Sequence, residues 1–150
     1  MPFQKFFKSS MLTLLLLVGC ASQAKQRPEI DPNASLYDRL GQLPAITALV
    51  EDLYKNIAKD ERINGFFIGS NPEEINRLLT EQICEATGGP CKYSGRDMLT
   101  VHTGMNITEA QFNALVEDLI QSMNKFKVAE REQKEILQAL GSMKGDIVDR

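Results

Sequence analysis

The side chain with the clearest chemical potential in this 150-residue chain is His102, the only histidine. A neutral imidazole can ligate a metal ion or exchange a proton near neutral pH. A solitary histidine is nevertheless more often a surface or core residue than a ligand. The sequence also contains no HExxH motif, no CxxC pair, no glycine-rich phosphate loop and no nucleophile elbow. Zinc hydrolysis, nucleotide chemistry and nucleophilic catalysis with a histidine base are therefore not supported.

The three cysteines fall into two groups. Cys20 follows an apolar run, whereas Cys84 and Cys91 lie close together in the middle of the chain. In an oxidising compartment Cys84 and Cys91 can pair as a disulfide. Alternatively, Cys84 packs as a small apolar residue on a helix and Cys91 is a loop thiol. The sequence leaves both readings open.

The first nineteen residues have the organisation of a secretory signal. Lys5 and Lys8 precede an apolar run from Met11 to Val18, and a small residue follows it. This run is much shorter than the roughly 20 residues that a helix needs to cross a bilayer. We therefore expect residues 1–19 to be a cleaved signal peptide.

The tetrad Leu17-Val18-Gly19-Cys20 is similar to a bacterial lipobox, in which the cysteine is acylated and becomes the first mature residue. We accordingly expect a lipid anchor at Cys20 on the bacterial cell envelope, with the domain facing the periplasm. Ala21 stands where an aspartate would signal retention at the inner membrane, which favours the outer membrane. Residues 20–34 are polar, contain two prolines and are expected to form a flexible tether.

Composition predicts one soluble domain that does not bind nucleic acid. The chain is 43% hydrophobic and 25% charged, which is ordinary for a globular protein. Removal of residues 1–19 changes the formal net charge from −3 to −5, because two lysines and no acid are lost. Phosphate contacts need clustered lysine and arginine, and the chain contains no basic block.

Residues 35–150 are predicted to form an all-α domain, because their apolar residues recur at helical spacing and no segment alternates with period two. Four long amphipathic helices are predicted to begin near Pro44, Asn71, Thr108 and Val128. Asn71-Pro72 and the pair Thr108 and Gln111 are helix-start signals, and Gly88-Gly89 should stop the second helix. Such helices can bury a core without any cofactor.

Four strings carry a family resemblance: SLYDRLGQLPAI, EDLYKNIAKDERINGFF, ATGGPCKYSGRDM and HTGMNIT. Their order and spacing resemble those of the group I truncated haemoglobins over about residues 35–148. The resemblance implies a two-over-two helical sandwich around one haem b per chain, with residues 35–150 as the globin domain.

The resemblance also assigns roles to individual residues. It implies that His102 is the proximal iron ligand and that Phe67 packs on the haem. Tyr54 matches the distal tyrosine that donates a hydrogen bond to the bound ligand; the alternative is a core tyrosine with a solvated hydroxyl. With a single histidine, bis-histidine ligation within one chain is excluded, so the sixth position of the iron should be free or held by water, hydroxide, Tyr54 or a gas.

The remaining assignments concern the walls of the haem site. Haem-wall residues are expected at Leu79, Ile83, Met98, Met105, Ile107, Phe112 and Leu115. Tyr93 and Arg96 are candidates for the haem propionates, or else belong to a solvated loop. The distal positions fall on Ile75, Leu78 and Leu79, where many relatives carry a glutamine or a lysine, which leaves Tyr54 as the main donor. Gln82 lies one turn past Leu78, and the match to the family does not favour it as a distal donor.

The function that the resemblance implies is reversible binding of oxygen, nitric oxide and carbon monoxide. One enzymatic version oxidises nitric oxide to nitrate; a peroxidase-like side activity is another. Turnover would need an electron donor or reductase, because the chain has no flavin or nicotinamide motif. The alternatives are an oxygen reservoir or gas sensor without turnover, and a haem-free helical lipoprotein.

Overall fold

The fold was obtained as a computed structural model, which describes residues 31 and 33–150. The predicted signal peptide, Cys20 and almost all of the predicted tether lie outside the described residues. Among the helices of the described part, none combines the length and apolar character that a bilayer-spanning segment requires.

The described chain is helical, which confirms the predicted fold class. Six α-helices follow one another: α1 (Leu36–Leu40), α2 (Gln42–Ile57), α3 (Pro72–Ala86), α4 (Met98–His102), α5 (Glu109–Lys125) and α6 (Glu130–Gly141). Short 3₁₀ helices cover Asn64–Phe67 and Lys144–Asp146. Within residues 33–150 the only β-type pairing is one isolated bridge between Ile107 and Val148.

The helix boundaries follow the capping signals in the sequence. The Asn71 side chain accepts hydrogen bonds from the backbone N–H groups of Glu73 and Glu74 and so begins α3. Thr108 and Gln111 form a reciprocal capping box at the start of α5. The last helix begins at Glu130, two residues later than the periodicity predicts, after an Ala129 that supplies no side-chain cap.

Helix α2 is the centre of the packing, because it contacts both α3 and α5. On one side Leu53 and Ile57 of α2 are buried against Met123 of α5 and Ile136 of α6. On the other side, Ile46 and Val50 of α2 are buried against Ile83 and Cys84 of α3. Each such aliphatic side chain contributes about 1.5–3 kcal/mol on burial. These two sets of contacts join α2 to α3 on one side and to α5 and α6 on the other.

Candidate functional site

A cavity of about 420 Å³ lies beside this core. Helix α4, the start of α5, one face of α3 and the turn before α3 surround it. The lining residues are Ile63, Phe66, Phe67, Ser70, Ile75, Leu78, Tyr93, Arg96, Val101, His102, Met105, Ile107, Gln111, Phe112, Leu115 and Ile147. Most of these side chains are apolar, so the cavity suits a large apolar ligand that has a few polar groups.

His102 is the imidazole in the lining of this mostly apolar cavity. It is the last residue of α4, and its Nδ1 lies 2.7 Å from the carbonyl oxygen of Met98, one turn earlier. A carbonyl oxygen can only accept, so Nδ1 donates to it, and in the neutral imidazole Nε2 then keeps its lone pair. The helix is itself fixed by Asp97, whose side chain accepts from the Thr100 N–H at 2.8 Å. The imidazole is therefore oriented as a ligand through Nε2.

Tyr54 of α2 is not among the residues that line the cavity beside His102, but it contacts one of them, Phe67. The two rings meet edge to face, with centroids 6.3 Å apart and planes at 87°. Tyr54 lines a smaller cavity of about 240 Å³, and Phe67 contributes to the lining of both cavities. The described residues provide the Tyr54 hydroxyl with no hydrogen-bond partner. A phenol without a protein partner is available to donate to a ligand.

The side of α3 that lines the cavity is not quite the side that the sequence predicts. Ile75 and Leu78 line the cavity. Leu79 instead packs on the buried cluster that contains Ile83, because these two positions face α2. Met98 lies at the start of α4 and lines a neighbouring cleft. The structure thus does not bring Leu79, Ile83 and Met98 to the cavity, whereas it does bring Met105, Ile107, Phe112 and Leu115 there.

Gln82 is also directed away from His102. Its amide Nε2 lies 3.2 Å from the sulfur of Met98 and 3.5 Å from that of Met143. Among the described residues it lines the neighbouring cleft and not the cavity beside His102. The distal part of α3 therefore presents only aliphatic side chains to the cavity.

Tyr93 and Arg96 both line the cavity from the loop between α3 and α4. The Tyr93 hydroxyl donates to the Arg96 carbonyl oxygen at 3.0 Å, and burial raises the pKa of this phenol. Hydrogen bonds also connect this loop to two glutamates of α3. A hydrogen bond from the Ser94 side chain lowers the pKa of Glu81, and one from the Tyr93 N–H lowers the pKa of Glu85.

The disulfide that the sequence left open is formed. Cys84 and Cys91 are bonded, with Cα atoms 5.7 Å apart, within the range of ordinary disulfides. Cys84 is fully buried. The bond therefore joins the last turn of α3 to the loop that carries Tyr93 and Arg96.

Several lining residues could not be identified from the sequence. Four of them lie near residues that were predicted to contribute to the haem site: Ile63, Ser70, Val101 and Gln111. Ile147 comes from the C-terminal segment, which returns to the site through the bridge between Ile107 and Val148. Helical periodicity ends before Ile147, so no local signal marks it.

The residues present fit a haem. One imidazole is oriented as an iron ligand, apolar side chains cover the walls, and Arg96 supplies a cation for carboxylate groups. Within the described residues, no group of three His, Cys, Asp or Glu side chains is placed to hold a bare metal ion. An all-helical domain with one imidazole facing an apolar slot defines a haem protein of the globin class.

Comparison with known proteins specifies the family. Residues 35–149 match the model of the bacterial-like globins. The chain is 33% identical to the group 1 truncated haemoglobin of Mycolicibacterium paratuberculosis over 114 residues, which cover 76% of this chain and 84% of the relative. A group 1 truncated haemoglobin of a Nostoc species is 31% identical, covering 78% of this chain and 99% of the relative.

Solved structures agree with this result. Truncated haemoglobin from Tetrahymena pyriformis in its Fe(III) form superposes with a TM-score of 0.75 and 26% identity, covering 78% of this chain and all of that chain. The 2/2 haemoglobin of a Synechococcus species, solved in the cyanomet state with covalently attached haem, gives a TM-score of 0.72 and 28% identity, covering 78% of this chain and all of that chain. The chain belongs to the bacterial-like globins and, within them, to the group 1 truncated haemoglobins. It binds one haem and, through it, gaseous ligands such as oxygen.

Proposed function

We propose that this domain reversibly binds oxygen, nitric oxide and carbon monoxide at a five-coordinate haem iron held by His102. The observation that carries the proposal is that His102 lines the cavity with its Nδ1 bonded to the Met98 carbonyl, which leaves Nε2 as the nitrogen available to the iron. A haem iron held by one axial imidazole supplies an open coordination position for a diatomic ligand. His102 is the only histidine in the chain, so no second imidazole can fill that position.

The test is the absorption spectrum of the purified protein. The reduced protein should show the single broad visible band of a five-coordinate ferrous haem and should change to a split spectrum with carbon monoxide. A reduced spectrum that already has the sharp, split bands of six-coordinate iron would contradict the proposal.

The chain's own contribution to ligand binding would be a hydrogen bond from Tyr54, which contacts the cavity beside His102 through Phe67. Tyr54 has a hydroxyl without a partner among the described residues, while Ile75 and Leu78 offer no polar group. A donor in an apolar environment stabilises a polar ligand such as oxygen more than a nearly nonpolar one such as carbon monoxide.

We further propose that the oxygenated protein oxidises nitric oxide. In the balanced reaction, one nitric oxide, one oxygen molecule and one electron give one nitrate. The electron must come from a separate reductase or small reductant, because no flavin or nicotinamide motif is present. Stopped-flow mixing of the oxygenated protein with nitric oxide should yield one nitrate per haem faster than oxygen dissociates. Oxidation limited by oxygen release would instead favour a reservoir or a sensor.

We also propose that the domain is anchored to the cell envelope by acylation of Cys20, facing the periplasm and favouring the outer membrane. The lipobox-like tetrad Leu17-Val18-Gly19-Cys20 supports this location. The disulfide between Cys84 and Cys91 supports it independently, because structural disulfides persist mainly in oxidising compartments.

A further inference from the structure

The loop between α3 and α4 is fixed to α3 by three separate connections. The first is the disulfide between Cys84 and Cys91. In the second, Glu85 accepts a hydrogen bond from the Tyr93 N–H at 2.9 Å. In the third, Glu81 accepts from both the N–H and the hydroxyl of Ser94, at 3.0 and 2.7 Å. Connections at positions 81, 84 and 85 follow the helical repeat, so they lie on one side of α3.

Two further contacts strengthen this arrangement. Arg77 donates to Glu81 at 2.5 Å and to the Ser94 hydroxyl at 2.7 Å, which holds the Glu81 carboxylate in place. Lys92 pairs with the second oxygen of Glu85 at 3.1 Å. Each carboxylate therefore bonds both a backbone N–H of the loop and a cationic side chain.

Close packing leaves the loop little room to move. A Cβ atom on Gly89 would lie 2.5 Å from the Tyr37 ring and 2.7 Å from the Cys84 sulfur. A Cβ atom on Gly95 would lie 2.3 Å from the Tyr93 hydroxyl oxygen, so the Tyr93 ring folds directly over Gly95. At Gly89 a Cβ atom would also lie 2.8 Å from the Cys84 backbone carbonyl oxygen, so this position requires glycine.

We propose that Glu81, Glu85 and the Cys84–Cys91 disulfide are positioning residues for the haem: by fixing the loop they hold Tyr93 and Arg96 at the cavity edge and thereby slow haem release. Tyr93 and Arg96 line the same cavity as His102. The Arg96 side chain makes no hydrogen bond or salt bridge to another residue of the described part, so its cation is available to an anionic group of the ligand. The inference rests on the haem site described above.

The experiment measures haem transfer from the ferric holoprotein to an excess of apomyoglobin. The variant E81A/E85A removes all three loop hydrogen bonds to these carboxylates and should lose haem about tenfold faster than wild type, the change expected if the released loop no longer makes one hydrogen bond to the haem. The variant E81Q/E85Q retains acceptor oxygens and should stay within about threefold of wild type. Glu74→Ala is the matched control, because Glu74 also pairs with Arg77 on α3 but does not contact the loop.

A double-mutant cycle distinguishes positioning from general stabilisation. In a Y93A/R96A background, E81A/E85A should cause no further acceleration, because the residues that are positioned are already absent. Cys91→Ser, which keeps the buried Cys84 side chain, should also accelerate haem loss in the native background and not in Y93A/R96A. These variants test the same loop and leave the buried residues Ile46, Val50, Ile83 and Cys84 in place.

Two outcomes would overturn the inference: rates for E81A/E85A equal to those of Glu74→Ala, or additive effects in the Y93A/R96A background. Failure of the haem site itself gives a different result, since His102→Ala would then retain its haem at wild-type occupancy. The two failures are therefore distinguishable.

Discussion

At the scale of single residues, His102 has the largest consequence, because the chain has no second histidine to replace it. We expect His102→Ala to lose the haem during purification, since only apolar contacts and the loop would then retain it. The measurement is the haem-to-protein ratio. Tyr54→Phe is the control and should retain full occupancy, because Tyr54 supplies no iron ligand in the proposed site. Full occupancy in His102→Ala would contradict the ligand assignment.

Tyr54 should determine the lifetime of the oxygen complex. We expect Tyr54→Phe to release oxygen roughly tenfold to a hundredfold faster, because a hydrogen bond to a charged or strongly polar group contributes about 1.5–3 kcal/mol. Carbon monoxide release should change much less. Ile75 and Leu78 cannot compensate, since neither carries a donor.

The control for Tyr54 is Gln82→Leu, which removes an amide of α3 that does not line the cavity beside His102. Its oxygen dissociation rate, measured by stopped-flow displacement, should match that of wild type. If Tyr54→Phe remained within about twofold of wild type while Gln82→Leu released oxygen faster, Gln82 and not Tyr54 would be the distal donor.

At the scale of elements, the side-chain cap at the N-terminus of α3 should contribute to the free energy of unfolding. Asn71→Ala removes the side chain that accepts from the Glu73 and Glu74 N–H groups and should lower the free energy of unfolding by about 1 kcal/mol. Ala129 occupies the equivalent position of α6 without a side-chain cap, in an extended conformation that suits a capping residue. Ala129→Ser should therefore raise the free energy of unfolding by about 0.5–1 kcal/mol.

Urea unfolding followed by circular dichroism measures both changes. Opposite signs in the two variants are expected, because one removes a cap and the other adds one. A change of the same sign in both would show that these termini are governed by contacts other than the cap.

The same elements show how far the sequence predicts the structure. The starts of α3 and α5 were predictable, because Asn71 and Thr108 act through bonds within three residues. The face of α3 was not fully predictable: Leu78 and Leu79 are equally apolar, and only packing against α2 decides that Leu78 lines the cavity. Ile147 was inaccessible to local reasoning, since its position depends on a pairing between segments about forty residues apart.

At the scale of the whole molecule, the core and the haem site share a wall. The buried cluster that contains Leu49, Leu53, Ile57 and Met123 also includes Ile63, which lines the cavity. Phe66, Phe67 and Leu115 pack against the same cluster and line the cavity as well. Packing of the helices and binding in the cavity are therefore coupled through these side chains.

The proposed lipid anchor would determine where this molecule operates. Cys20 precedes the globin domain by about 15 residues, so an anchored domain would stay close to the membrane surface. The formal net charge of −5 expected after removal of residues 1–19 disfavours direct binding to anionic lipid, so membrane association would depend on acylation. We expect Cys20→Ser to abolish labelling by an alkyne fatty acid and to move the protein from the membrane fraction to the soluble fraction.

Cys91→Ser is the matched control, because it also removes one cysteine but leaves Cys20, and it should remain labelled and membrane-bound. Labelling and membrane association that persist in Cys20→Ser would show that another residue anchors the protein and that the tetrad before Cys20 is not a lipobox.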